Sequence, residues 1–204
     1  MRTVPTLLAA AALVTPPGAA AQFTPSPTAA TYITAGQVQE INALPGTDRQ
    51  LVSQDIGKLN LAVGVIHRGA SGPARAPSAN PPERPCGVSQ GTSSGARGIS
   101  HDHQTETYII ISGGGTLVTG GEIMNGNRSA PESAVTTVLN GPSCSGIIVG
   151  DVVSRDVEVG DIVIIPAGVP HGWSNIPDHV DYLSVRPDPD RVIADYVNPA
   201  LRLR

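Results

Sequence analysis

Short segments in which apolar and polar side chains alternate, separated at close intervals by Gly, Pro or Asn, predict an all-β sandwich or barrel. A helical signature near each end adds short N- and C-terminal helices. The chain has 204 residues and a formal net charge of −4. It shows no internal repeat, and its length suits one domain with a single core.

The elements follow in order. Residues 1–21 read as a secretory signal peptide: Met1-Arg2 is positive, Val4 to Val14 is a short apolar run, and Gly18 to Ala21 offers small residues for cleavage. A buried helix is opposed by Pro5, Pro16 and Pro17. Cleavage near Ala21 predicts a secreted or periplasmic protein. Residues 22–33, rich in Pro, Thr and Ala, read as a flexible leader, and 34–204 as one domain. Thr34 is the expected N-cap of a helix from Ala35 to Leu44, closed by Pro45-Gly46. Gln50 to Ile56 and Leu59 to His67 read as strands joined at Gly57-Lys58. The second is apolar on both faces near its centre, which places it inside a sheet.

Gly69 to Ala96 is a long loop rich in Gly, Pro, Ser and Ala: either a lid over a site or a surface insertion. Further strands are expected at 98–103, 106–112, 115–119, 134–139, 144–149, 152–157, 161–165, 171–175 and 180–186, with a polar excursion at 122–131. The tail from Asp188 reads as helical through Asp190 to Tyr196. Cys86 and Cys144 are the only cysteines. In an exported chain one disulfide is the expected pairing; two free thiols are the alternative.

The chemistry concentrates in two blocks. In the first, His101-Asp-His103 is followed by Glu106, and alternation on a strand would aim both imidazoles one way. The second, Gly160 to Asn175, carries His171. Three imidazoles and a carboxylate suit one divalent transition metal with positions left open. Fe, Mn, Cu, Zn and Ni are not distinguished by such a set.

These blocks resemble the two motifs of the cupin superfamily. Gly160, Pro166, Gly168, His171 and Asn175 occupy the fixed positions of the second motif, and Gly113 follows Glu106 as in the first. Only two residues separate His103 from Glu106, where the family has three or four. The resemblance covers roughly 90–187 and implies a double-stranded β-helix, a small jelly-roll barrel. It implies His101, His103, Glu106 and His171 as metal ligands, and a homodimer.

Alternation sets Tyr108 two residues beyond Glu106 and Trp173 two beyond His171, on the metal side. Tyr108 is the candidate catalytic proton donor. Trp173, Arg97, Tyr182 and Arg186 are candidates for the substrate pocket. For Tyr108 and Trp173 the alternative is core packing, and for the arginines a rim position. His67 and His179 read as solvent-facing. Scarce aromatic residues disfavour sugars and polyphenols. No basic stripe points to nucleic acid, and no second apolar run is long enough for a membrane span.

The functional expectation is an exported metal-dependent enzyme acting on a small organic molecule, with oxygen-dependent dioxygenase or oxidase chemistry first. A metal-dependent lyase, decarboxylase or isomerase is the alternative within enzymes. A metal-containing binding protein without turnover is the alternative outside them.

Overall fold

The computed structural model describes residues 28–72, 82–89, 91 and 94–202. The expected signal peptide, most of the leader and the centre of the long loop lie outside the described residues. Strands dominate: β1 (Asp48–Asp55), β2 (Asn60–Gly69), β3 (Pro85–Cys86), β4 (Arg97–His101), β5 (Glu106–Arg128), β6 (Ser143–Glu158), β7 (Ile162–Ile165), β8 (His171–Asn175), β9 (His179–Asp188) and β10 (Tyr196–Val197). All strand pairings are antiparallel.

One sheet runs β10-β1-β2-β9-β5-β7 and the other is built from β3, β5, β6, β4 and β8. Strand β5 belongs to both. It begins in the first sheet, turns at Gly113, whose φ of 65° favours glycine, and continues into the second. This is a double-stranded β-helix, as the strand order shows and as the resemblance of the two motifs led us to expect. The chain turns 122–131 into strand as far as Arg128, so the expected polar excursion is instead the end of β5.

The predicted interior position of β2 holds: β1 and β9 pair on its two edges. Helix α1 (Ala35–Asn42) starts at Thr34, whose hydroxyl accepts from the Gln37 amide while Gln37 reaches back to the Thr34 amide. Its fully buried Ile41 packs with Leu51, Val65 and Leu201 on the outside of the first sheet. Burial of that side chain stabilises by about 1.5–3 kcal/mol. Between the sheets lies the main core, with Tyr108, Ile110, Leu117, Ile165, Val180 and Tyr182. Cys86 and Cys144 form the disulfide, beside Val118, Ile123 and Ile148.

Two expected elements are different. Residues 134–139 are not a strand but a π-helical turn, Val135–Leu139. Ser133 initiates it, its carbonyl accepting from the amides of Thr136 and Thr137. The C-terminal helix does not form either. Asp188 takes the amides of Val192 and Ile193 on its carboxylate at 3.1 and 2.8 Å, a local bond that competes with helical pairing. The tail then adds β10 to the edge of β1.

Candidate metal centre

His101 closes β4, Glu106 opens β5, and His171 opens β8. Two glycines let these strands meet. A Cβ on Gly172 would lie 2.2 Å from the Arg97 carbonyl oxygen, and one on Gly98 would lie 2.5 Å from that of His171. Only hydrogen at both positions lets β4 and β8 approach so closely, and that approach seats His171 opposite Ile99. The ligand atoms of His101, Glu106 and His171 all fall within 4.8 Å of one another, and all three residues are buried.

The hydrogen bonds around the rings fix their tautomers. Val169's carbonyl can only accept, so the His171 Nδ1 at 3.0 Å carries the proton. Ser143 Oγ donates to the Gly141 carbonyl at 2.8 Å and therefore accepts from His101 Nδ1, also at 2.8 Å. Neutral rings so arranged turn two Nε2 lone pairs inward. They face Glu106 Oε2 at 3.2 Å from His101 and 3.1 Å from His171. His171 Nε2 has no hydrogen-bond partner at all. A buried imidazole nitrogen left unpartnered beside a carboxylate oxygen and a second inward imidazole is unfavourable unless a cation joins them. The donor set therefore fits a divalent metal with two imidazoles and one carboxylate oxygen.

The other oxygen of Glu106 is already occupied. Oε1 accepts from Arg186 Nε at 2.7 Å, Ser184 Oγ at 2.8 Å and Asn140 Nδ2 at 3.2 Å. The Asn140 amide also lies 3.3 Å from His101 Nε2. Burial would raise the Glu106 carboxyl, but the Arg186 charge and the neighbouring histidines outweigh it and hold it well below the usual range. Arg186 is itself fully buried, bridging Glu106 to Asp48 at 2.6 Å and bonding Gln50 and the Leu139 carbonyl. Burial would lower its guanidinium; the two carboxylates more than reverse that. Tyr108 donates to Glu106 Oε2 at 3.0 Å. Burial, reinforced by the Glu106 charge, pushes this phenol well above its ordinary value, so it remains a donor.

His103 is the main correction. Strand β4 ends at His101, and the chain turns before Glu106. Alternation stops with the strand, so His103 faces outward and pairs with Asp190 at 3.0 Å. Its neighbour Gln104 is buried in its stead, 1% exposed, with neither amide atom hydrogen-bonded. Counted from His101, four residues precede Glu106, which is the family's spacing. The position two before His101, where alternation would put a further imidazole, holds Ile99.

A concavity of about 430 Å³ opens on the cluster, walled by Ile99, Tyr108, His171 and Trp173, with Arg68 and Arg97. A larger one of about 590 Å³, lined by Asp156, Glu158 and Asp161, contains none of the cluster. Trp173 leans on Tyr182 with ring centroids 5.7 Å apart. Tyr182 is buried in the core, its hydroxyl accepting from Arg68 Nε at 3.0 Å. Arg186 does not reach the concavity as a free cation; its charge is spent on Glu106 and Asp48. His67 and His179 lie away from the cluster, paired with Asp181 and Asp178.

Sequence reasoning missed Asn140, Ser143, Asp48 and Arg68. Asn140 ends the π-helical turn, and such turns gather at functional sites. Ser143 pairs with His101 across β4 and β6, a register the sequence does not display.

No family model matches the chain, and no curated protein does. Solved structures similar to it include a double-stranded β-helix protein from Klebsiella pneumoniae, 17% identical, TM-score 0.37, covering 79% of this chain and 95% of that one. The DMSP lyase DddQ of Ruegeria pomeroyi is 14% identical, TM-score 0.36, over 83% of this chain and 61% of its own. A recombinant oxalate oxidase in complex with glycolate is 13% identical, TM-score 0.33, over 72% and 54%.

Proposed function

We propose that this is an exported metal-dependent enzyme acting on a small organic molecule by oxygen-dependent chemistry. The observation that carries the reading is the buried convergence of His101 Nε2, His171 Nε2 and Glu106 Oε2, with His171 Nε2 left without a hydrogen-bond partner. Two histidines and one carboxylate with open positions are the donor set of non-haem iron oxygenases, so Fe(II) leads among the candidate metals. A metal held there would supply a Lewis-acid centre with places for oxygen and substrate.

The chain's own groups divide the remaining work. Arg186, Ser184 and Asn140 occupy Glu106 Oε1, so that Oε2, which also accepts from Tyr108, is the oxygen turned to the two imidazoles. Ser143 and the Val169 carbonyl orient the two imidazoles. Tyr108 keeps its proton and presents it at the edge of the concavity, as the candidate acid. Trp173 and Ile99 exclude water from one wall.

Metal content should be measured on protein purified from its native compartment. Oxygen uptake should then be followed with a panel of small acids and phenols. Stoichiometric metal with oxygen uptake is the expected result; turnover that continues without oxygen would move the reading to a lyase, decarboxylase or isomerase. A binding protein is the second reading, favoured by one observation: the Tyr108 proton is already committed to Glu106, and among the described residues the concavity is lined by no carboxylate and by no imidazole other than the candidate ligand His171.

The disulfide supports export to an oxidising compartment. A homodimer is proposed through β7, which pairs only with β5 among the described residues and exposes Ile162 and Ile164. Sedimentation of the mature chain tests it.

A further inference from the structure

The concavity beside the cluster carries two positive charges and no carboxylate of its own. Arg68 comes from β2 and Arg97 from the start of β4, so two strands from different sheets deliver guanidinium groups to one small space. Arg68 is positioned by a single bond, Nε to the Tyr182 hydroxyl at 3.0 Å. Tyr182 is fully buried, which makes it a fixed post. Neither terminal nitrogen of Arg68 is hydrogen-bonded or ion-paired among the described residues, and Arg97 has no acidic partner there. Ile99, Ile176 and Trp173 supply the apolar wall, and Tyr108, His171, Ser71 and Ser145 the remaining polar lining, none of it acidic. The chain as a whole is negative, at −4, so two unpaired arginines in one concavity go against its overall balance.

We propose that Arg68 and Arg97 form a carboxylate-binding subsite for a small organic acid whose apolar body lies on Ile99 and Trp173. The planar guanidinium matches a carboxylate through paired hydrogen bonds, and an arginine fixed at Nε still offers its outer nitrogens. A carboxylate held there directs the rest of the molecule toward His171 and Tyr108, the residues shared by the concavity and the cluster. The subsite deepens the metal reading but does not depend on it, because neither arginine touches a candidate ligand.

Isobutyrate and its neutral isostere isobutyramide are the probes, titrated calorimetrically into the full mature chain, metal-stripped and metal-loaded. Isobutyrate should bind the metal-stripped protein about tenfold or more tightly than isobutyramide, the scale set by hydrogen bonds to a charged group. Arg68→Gln and Arg97→Gln should each remove most of that preference without changing metal content. Arg84→Gln, an exposed arginine outside the concavity, should leave it unchanged, and Arg68→Lys should retain part. Equal binding of acid and amide, or wild-type binding by both glutamine variants, overturns the proposal. So does equal weakening by Arg84→Gln, which would indicate general surface charge. Inorganic phosphate bound in place of isobutyrate would overturn the carboxylate assignment. His101→Ala separates the two readings: arginine-dependent isobutyrate binding in that variant keeps the subsite even if no metal binds wild type.

Discussion

Replacing Arg186 by Met strands a carboxylate in the interior. Arg186 makes four hydrogen bonds, two of them ion pairs, and is 0% exposed. The two acids it serves are not equally placed. The Asp48 side chain is 18% exposed and can recruit water; that of Glu106 is 2% exposed and cannot. The stranded Glu106 charge therefore dominates, and breaking a buried pair by removing one partner costs about 3–5 kcal/mol. With a urea slope of about 2 kcal/mol per molar, the midpoint should fall by about 1.5–2.5 M. The measurement belongs on metal-stripped protein, since metal bound only to the folded state would mask the loss.

The pH dependence carries the sign. In the wild type the folded Glu106 value is depressed, so its contribution is present above the ordinary carboxylate range. It is lost only as pH falls through the depressed folded value. Without Arg186, burial raises the folded value instead, and protonation relieves the stranded charge. The penalty should be greatest near neutral pH and shrink toward about pH 4, near the ordinary glutamate value. Adding Glu106→Gln to Arg186→Met should recover part of the loss. A cost under about 1 kcal/mol, or one independent of pH, would refute the reasoning.

Three other outcomes follow from the same geometry. His101→Ala or His171→Ala should abolish stoichiometric metal, while His103→Ala should leave it intact after chelator dialysis, read by elemental analysis. Ile99→His should tighten metal binding, because residue 99 lies opposite His171 and one strand repeat before His101; unchanged affinity in a competition titration would remove Ile99 from that role. Reducing Cys86–Cys144, a sequence separation of 58, should cost up to about 4 kcal/mol, and thiol counting on unfolded, unreduced protein should find none free.

Local signals carried much of the architecture. Thr34 announced the helix and Gly57 the turn between the first two strands, whereas Tyr182 and Arg186, expected in the substrate pocket, are fully buried and absent from the concavity. His103 misled because the two-residue period was continued past the end of β4; the spacing of four residues from His101 to Glu106 was the better signal. Arg186 was expected in the substrate pocket or at its rim because its partner Glu106 lies 80 positions away in sequence. Asp188 defeated the helical reading of the tail because side-chain bonding to nearby amides competes with helix and leaves no periodic trace.

The triad of Asp48, Arg186 and Glu106 also sets an electrical balance for the interior. Two carboxylates and one guanidinium leave a single negative charge beside two neutral imidazoles. A divalent cation would turn that into a single positive charge, and with Arg68 and Arg97 in the neighbouring concavity an organic carboxylate would meet a positive potential that the metal strengthens. The proposed metal and acid would thereby be thermodynamically linked: each should bind more tightly when the other is present, by the same factor in either order. With both proposed ligands bound, the barrel would be a two-ligand device whose occupancy is cooperative without any movement of its strands.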